Sequence, residues 1–208
     1  MSSRLAGAPA LSEPVADGAL AGGNVKRVVV SLAVVLAIAA GIYLLDASRE
    51  TAGASTAISV AGATGPAPRI GTAAPGFEAP DLDGKPIRLS DFRGHPVWID
   101  FWANWCPPCR AETADVQAAD AERQGDGLTL LAVSIGEDAA TVRRYVETTG
   151  ITYTVVLDPD QSIAARYRIT GIPTHFFVDS DGVIRFVQSG GLSKKAALER
   201  LTAIMPAS

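Results

Sequence analysis

The chain's two cysteines, Cys106 and Cys109, stand three apart in one stretch, "PVWIDFWANWCPPCRAE", and no other feature narrows the fold as much. The run before them is continuously apolar except for Asp100, which is how a strand reads when both of its faces are covered. The stretch after them, "RAETADVQAADAERQ", has few β-branched side chains, no proline and a glycine at its end, and reads as a helix. A covered strand that feeds directly into a helix calls for layered α/β packing, with the two sulfurs at the junction.

The rest of the chain repeats that alternation. "FEAPDLDGKPIRL" reads as a β-hairpin turning at Asp83 and Gly84. "LTLLAVSI" is a second buried strand, and "DAATVRRYVETTG" a helix opening at Asp138 and closing at Gly150. "YTVVLD" is a third strand and "QSIAARYRI" a short helix. "THFFVD" and "GVIRFVQ" form a strand pair joined through Ser180, Asp181 and Gly182, and "SKKAALERLTAIM" is the last helix. Strands alternating with helices imply a parallel sheet covered on both faces, and the late hairpin adds antiparallel strands, so the expected fold is α/β with a mixed sheet.

Ahead of this region, Val28 to Leu45 carries no charge over eighteen residues and would rise about 27 Å as a helix, just enough for a bilayer core of about 30 Å. Lys26 and Arg27 abut its start, while Asp46, Arg49 and Glu50 beyond it nearly cancel. The positive-inside rule then places residues 1–27 as a short cytoplasmic leader and everything after residue 45 outside the cell membrane. "AGA" at Ala52 to Ala54 has the form of a signal-peptidase site, but it lies well beyond the apolar run, and an uncleaved signal-anchor over 28–45 is the expectation. Residues 46–69, rich in Ala, Gly, Ser and Thr, read as a flexible linker, with the folded domain over 70–208.

The net charge of −4, with no basic stripe or tail, excludes a nucleic-acid footprint. Two cysteines cannot supply a structural zinc site, and His95 and His175 stand in unrelated contexts, so neither a metal nor any other cofactor is expected. Three readings of Cys106 and Cys109 remain: a redox couple, a static crosslink, or a two-thiolate site for a soft ion such as Cu(I). A crosslink closing so short a loop removes little unfolded-state entropy. At the start of a helix, both sulfurs share a face within disulfide reach, and free amides with the helix dipole favour a thiolate on Cys106. Pro107 and Pro108 lack an N–H where none is needed. Redox exchange therefore leads.

"VWIDFWANWCPPCRAE" together with "GIPTHFFVD" resembles the thioredoxin superfamily. The early hairpin and the "ETTGITYTVVLDPD" insertion resemble its membrane-anchored TlpA/ResA-type branch, whose members are thiol-disulfide oxidoreductases. The resemblance implies an exposed attacking thiol at Cys106, a buried resolving thiol at Cys109, and a cis-proline at Pro173. It further implies that the backbone of Ile172 pairs with a substrate chain and that the ring of Trp105 is partly exposed beside the nucleophile. Asp100 matches the buried aspartate of thioredoxin and Glu112 an acid of the membrane-anchored branch, so both are candidate proton carriers. Trp98 and Trp102 read as core, His175 as a strand residue without chemistry, and His95 as a loop residue. The implied partners are disulfide-bearing exported proteins, such as the cysteine pair of apocytochrome c, and a membrane thiol carrier as electron donor. Two alternatives are a copper chaperone for oxidase assembly and a peroxiredoxin. The second needs a threonine where this chain has Ala103.

Overall fold

The computed structural model describes residues 27–40, 53–63 and 65–205. The chain divides into two units, Met1–Asp46 and Ala47–Ser208. In the first, residues 27–40 form helix α1 with exposed side chains. No helix among the described residues is long and apolar enough to cross a membrane. Residues 1–26 of the expected leader and 41–45 of the expected span lie outside the described residues.

The second unit is built on a five-stranded sheet. Strand β4, Val97–Trp102, is its centre and is buried at every residue. It pairs in parallel with β5, Thr129–Ile135, which pairs in parallel with β6, Thr154–Asp158. On the other side, β8, Thr174–Val178, runs antiparallel to β4, and β9, Ile184–Ser189, antiparallel to β8. The order is thus β6-β5-β4-β8-β9, a thioredoxin-like mixed sheet. The expected hairpin forms from β2, Glu78–Pro80, and β3, Pro86–Arg88. Gly84 adopts a φ of 79° at its turn, where a side chain would be strained.

Side-chain alternation on β4 and β8 determines what each face holds. Ile99 and Phe101 enter one apolar cluster with Val133, Tyr167 and Phe176. Trp98 enters the opposite cluster with Val116, Phe177 and Leu201, its ring stacked on Phe177 at 5.4 Å. That second face lies under helix α2, Pro107–Arg123, and the C-terminal helix α5, Lys194–Ile204. Two residues beyond Trp98, Asp100 points the same way, and the register sets it opposite His175. Helix α3, Ala139–Thr149, starts at the Asp138 cap, whose carboxylate accepts from the Thr141 amide, and ends at Gly150. The short α4, Ser162–Arg166, leads to β7, Gly171–Ile172.

The linker expectation needs correcting where residues 46–69 are described. Thr56–Ala57 forms strand β1, antiparallel to β7, with Thr56 opposite Ile172 and Ala57 opposite Gly171. The Ile58 amide donates to the Thr170 carbonyl at 3.0 Å, and the Gly191 amide to the Ala54 carbonyl at 3.0 Å. Ile58 and Val60 pack against the core. Arg168 donates to the Ala63 carbonyl at 2.6 Å and to that of Gly65. Main-chain bonds to a distant segment supply this order, which a composition of small residues does not signal.

Candidate active site

Cys106 is the N-cap of α2, with extended backbone at φ −86° and ψ 111°, and Pro107 and Pro108 fill the first helical positions. It is joined to Cys109 by a disulfide with the Cα atoms 5.3 Å apart. The next free amide of the helix, that of Cys109, donates to Cys106 Sγ at 3.2 Å. A helix N-terminus thus directs its partial positive charge at this sulfur. Trp105 is half exposed beside it, whereas Trp98 and Trp102 are core. Pro173 follows a cis peptide bond, and the Ile172 carbonyl oxygen lies 3.6 Å from Cys106 Sγ. One expectation fails. Cys106 is as buried as Cys109, at 0% against 3% exposure, because its sulfur is tucked against the β7 backbone rather than open to solvent.

Beneath α2 the second face of the sheet holds a group of ionisable side chains. Asp100 Oδ1 lies 3.2 Å from His175 Nδ1, and His175 Nε2 lies 3.4 Å from Glu112 Oε2. All three residues are buried. Trp98 donates its indole N–H to His175 Nδ1 at 3.3 Å, and the Leu192 amide donates to Glu112 Oε2 at 2.6 Å. An indole can only donate, so Nδ1 presents a lone pair to it. Asp100 can bond to the same nitrogen only as a protonated acid.

The electrostatics agree with that assignment. Burial pushes the Asp100 carboxyl up to about 7, against the pull of His175, and pushes Glu112 up to about 8, against the Leu192 amide. Burial also lowers His175, which keeps the ring neutral and, with Nδ1 accepting, places its proton on Nε2. Asp100 Oδ1, Glu112 Oε1 and His175 Nε2 nevertheless lack a well-formed hydrogen bond. The group can therefore rearrange protons without first breaking strong bonds. Its donor atoms lie within 4.8 Å of one another, a spacing that could also hold a cation. The indole N–H on Nδ1 already takes the lone pair that a cation would need at that nitrogen.

His175, expected to be an inert strand residue, is thus the link between the two candidate acids. Sequence reading missed a further acid altogether. Glu137 is buried after β5 and accepts from the Asn104 amide at 3.0 Å and from Ser134 Oγ at 2.9 Å. It anchors the turn that delivers Cys106, and burial raises its carboxyl. Its position after a buried strand, facing the loop before the cysteines, was the available signal. His95 stays in the loop before β4, as expected.

Residues 70–187 match the AhpC/TSA family. The chain is 32% identical over 137 residues to thiol-disulfide oxidoreductase ResA of Geobacillus thermodenitrificans, a match that spans 66% of this chain and 79% of that protein. It is 30% identical over 136 residues to ResA of Bacillus subtilis, covering 65% of this chain and 76% of the relative. Among solved structures, a putative thiol:disulfide interchange protein DsbE from Chlorobium tepidum superposes with a TM-score of 0.64 at 27% identity. That likeness covers 67% of this chain and all of the other.

Proposed function

Because the chain belongs to the AhpC/TSA family and is a thiol-disulfide oxidoreductase of the ResA/DsbE type, we propose that it is a reductase of exported proteins, tethered to the outer side of the cell membrane. The observation that carries this reading is the Cys106–Cys109 cystine at the N-terminus of α2, with a helix amide on the Cys106 sulfur and the Ile172 carbonyl beside it.

In the reduced protein, Cys106 thiolate attacks one sulfur of a substrate disulfide. The substrate's S–S bond breaks, its second sulfur leaves as a thiolate and takes a proton, and a mixed disulfide forms. Cys109 then loses its proton and attacks the Cys106 sulfur. The substrate leaves as a dithiol with two electrons gained, and the Cys106–Cys109 disulfide is restored. Asp100, His175 and Glu112 offer a place for the Cys109 proton, since the two carboxyls change charge near neutral pH. A membrane thiol carrier returns the dithiol by the reverse exchange. Ile172 and Pro173 supply the docking edge and Trp105 an exposed aromatic surface next to it.

Direction depends on the reduction potential, which the residues between the cysteines help to set. Strong oxidants of this superfamily often hold a histidine there, and Pro107 with Pro108 favours a reducing potential. The apolar run 28–45 supports the tether, and the cysteine pair of apocytochrome c is the substrate chemistry that suits an exported reductase. Trapping with Cys109→Ser in cells tests this. Mixed disulfides with exported thiol proteins are expected. A potential as oxidising as about −120 mV, or tight Cu(I) binding with no disulfide reduction, would displace the proposal.

A further inference from the structure

The edge of β7 beside the cystine is already taken. Hydrogen-bonded pairs alternate along an antiparallel ladder. With the Ile58 amide bonded to the Thr170 carbonyl, Thr56 and Ile172 form the next such pair. The main-chain groups of Ile172 that would hold a substrate segment therefore face Thr56. The seat continues past β7. Gly191 holds the Ala54 carbonyl, and a Cβ on Gly190 would lie 2.6 Å from the Gly53 backbone, so glycine is needed for the chain to pass so closely. A Cβ on Gly171 would stand 3.4 Å from the Thr56 carbonyl oxygen, in van der Waals contact. Only Thr56, Ile58 and Val60 turn even partly inward, while Ala54, Ser55 and Ala57 are exposed.

We propose that residues 53–58 are a built-in occupant of the strand edge on which a disulfide-bearing peptide docks, so that substrate binding is a strand exchange. This rests on the reading of the chain as a disulfide reductase and says how its site selects a partner. The seat is lined by glycine backbone and reads main chain. It takes an extended segment running antiparallel to β7, as Ala54 to Ala57 do. The closeness is set by Gly190 and not by the occupant, since a Cβ on Gly53 would itself meet nothing within 4 Å. The buried Cys106 sulfur lies against the carbonyl of Ile172, the same residue that Thr56 of β1 pairs with.

The test uses the full chain in detergent, reduced, and a synthetic peptide carrying one internal disulfide flanked by Ala and Ser. Thr56→Pro removes the amide opposite Ile172 and leaves the cysteines and β7 intact. If β1 is seated in about nine molecules of ten, its release raises the second-order rate constant for the peptide roughly tenfold. Alkylation of Cys106 by iodoacetamide accelerates in parallel, and the Ile58 amide loses exchange protection. Ile58→Ser, which loosens the same segment through its side chain, moves the rates in the same direction. Unchanged rate constants in both variants, with Ile58 protection lost, would overturn the strand exchange while leaving the reductase intact. Failure of the wild type and both variants to reduce any peptide disulfide would instead sink the reductase reading.

Discussion

At the scale of single residues, the buried acids make the protein's stability depend on pH in a definite sense. Asp100 titrates near 7 in the folded chain and about 3.8 when unfolded, so between those values the native state holds a proton that the unfolded state has lost. Its contribution is full below about pH 4 and is lost as pH rises through 7. Glu112 has the same sign, with loss through about 8. His175, lowered by burial, has the opposite sign: its contribution is present above the unfolded value of about 6.5 and fades as pH falls below it. Asp100→Asn keeps the shape and cannot ionise. It is expected to be more stable than the wild type at pH 8, by up to a few kcal/mol, and level with it at pH 4, as read from thermal melts across that range. A constant difference at all pH values would mean that Asp100 is ionised throughout. The same variant should slow resolution of the mixed disulfide by roughly a hundredfold, if the carboxyl takes the Cys109 proton. Quenched-flow trapping of that intermediate measures the step. Asp100 and Glu112 could be picked out in the sequence because each keeps a fixed local offset from the cysteines. His175 could not, since its place between them comes from the pairing of β4 with β8, a long-range register that no local window contains.

At the scale of elements, the covered strand β4 and the helix start after it do most to define the chemistry. The N-terminus of α2 holds Cys106 Sγ on the Cys109 amide, so the reduced thiol should ionise below the free value of about 8.5. Absorbance of the thiolate at 240 nm against pH measures this, with Cys109→Ser isolating the one sulfur. A value at or above 8.5 would mean that the helix N-terminus gives no assistance. Most long elements were legible, because burial on both faces of β4 and β5 writes itself as unbroken apolar runs and Asp138 and Gly150 mark both ends of α3. The short strands were not. β1 and β7 are two residues each and draw their order from each other's backbone. "GASTAIS" therefore looks like any spacer. That Cys106 is buried was hidden too, because its sulfur rests on the Ile172 carbonyl, far away in sequence.

At the scale of the whole molecule, the sequence separates an apolar segment from a folded domain, and the two units divide at Asp46 and Ala47. The α/β class was readable from alternating patterns, but the strand order needed the three-dimensional pairing, because β8 and β9 return to the far side of β4. The proposal of an exported-protein reductase requires a compartment where substrate disulfides persist, which is the oxidising space outside the cytoplasm. The proposed orientation rests on the charge asymmetry around residues 28–45. The full chain should therefore sediment with membranes and resist extraction by high salt, whereas a chain beginning at Ala47 should be soluble. Protease added to intact spheroplasts should digest the domain and spare an epitope fused ahead of Met1. Digestion of the epitope with sparing of the domain would invert the topology and put the cystine in a reducing compartment. The dithiol would then have no standing supply of oxidised substrate, and the proposal of an exported-protein reductase would have to be abandoned even if the isolated domain reduces disulfides well.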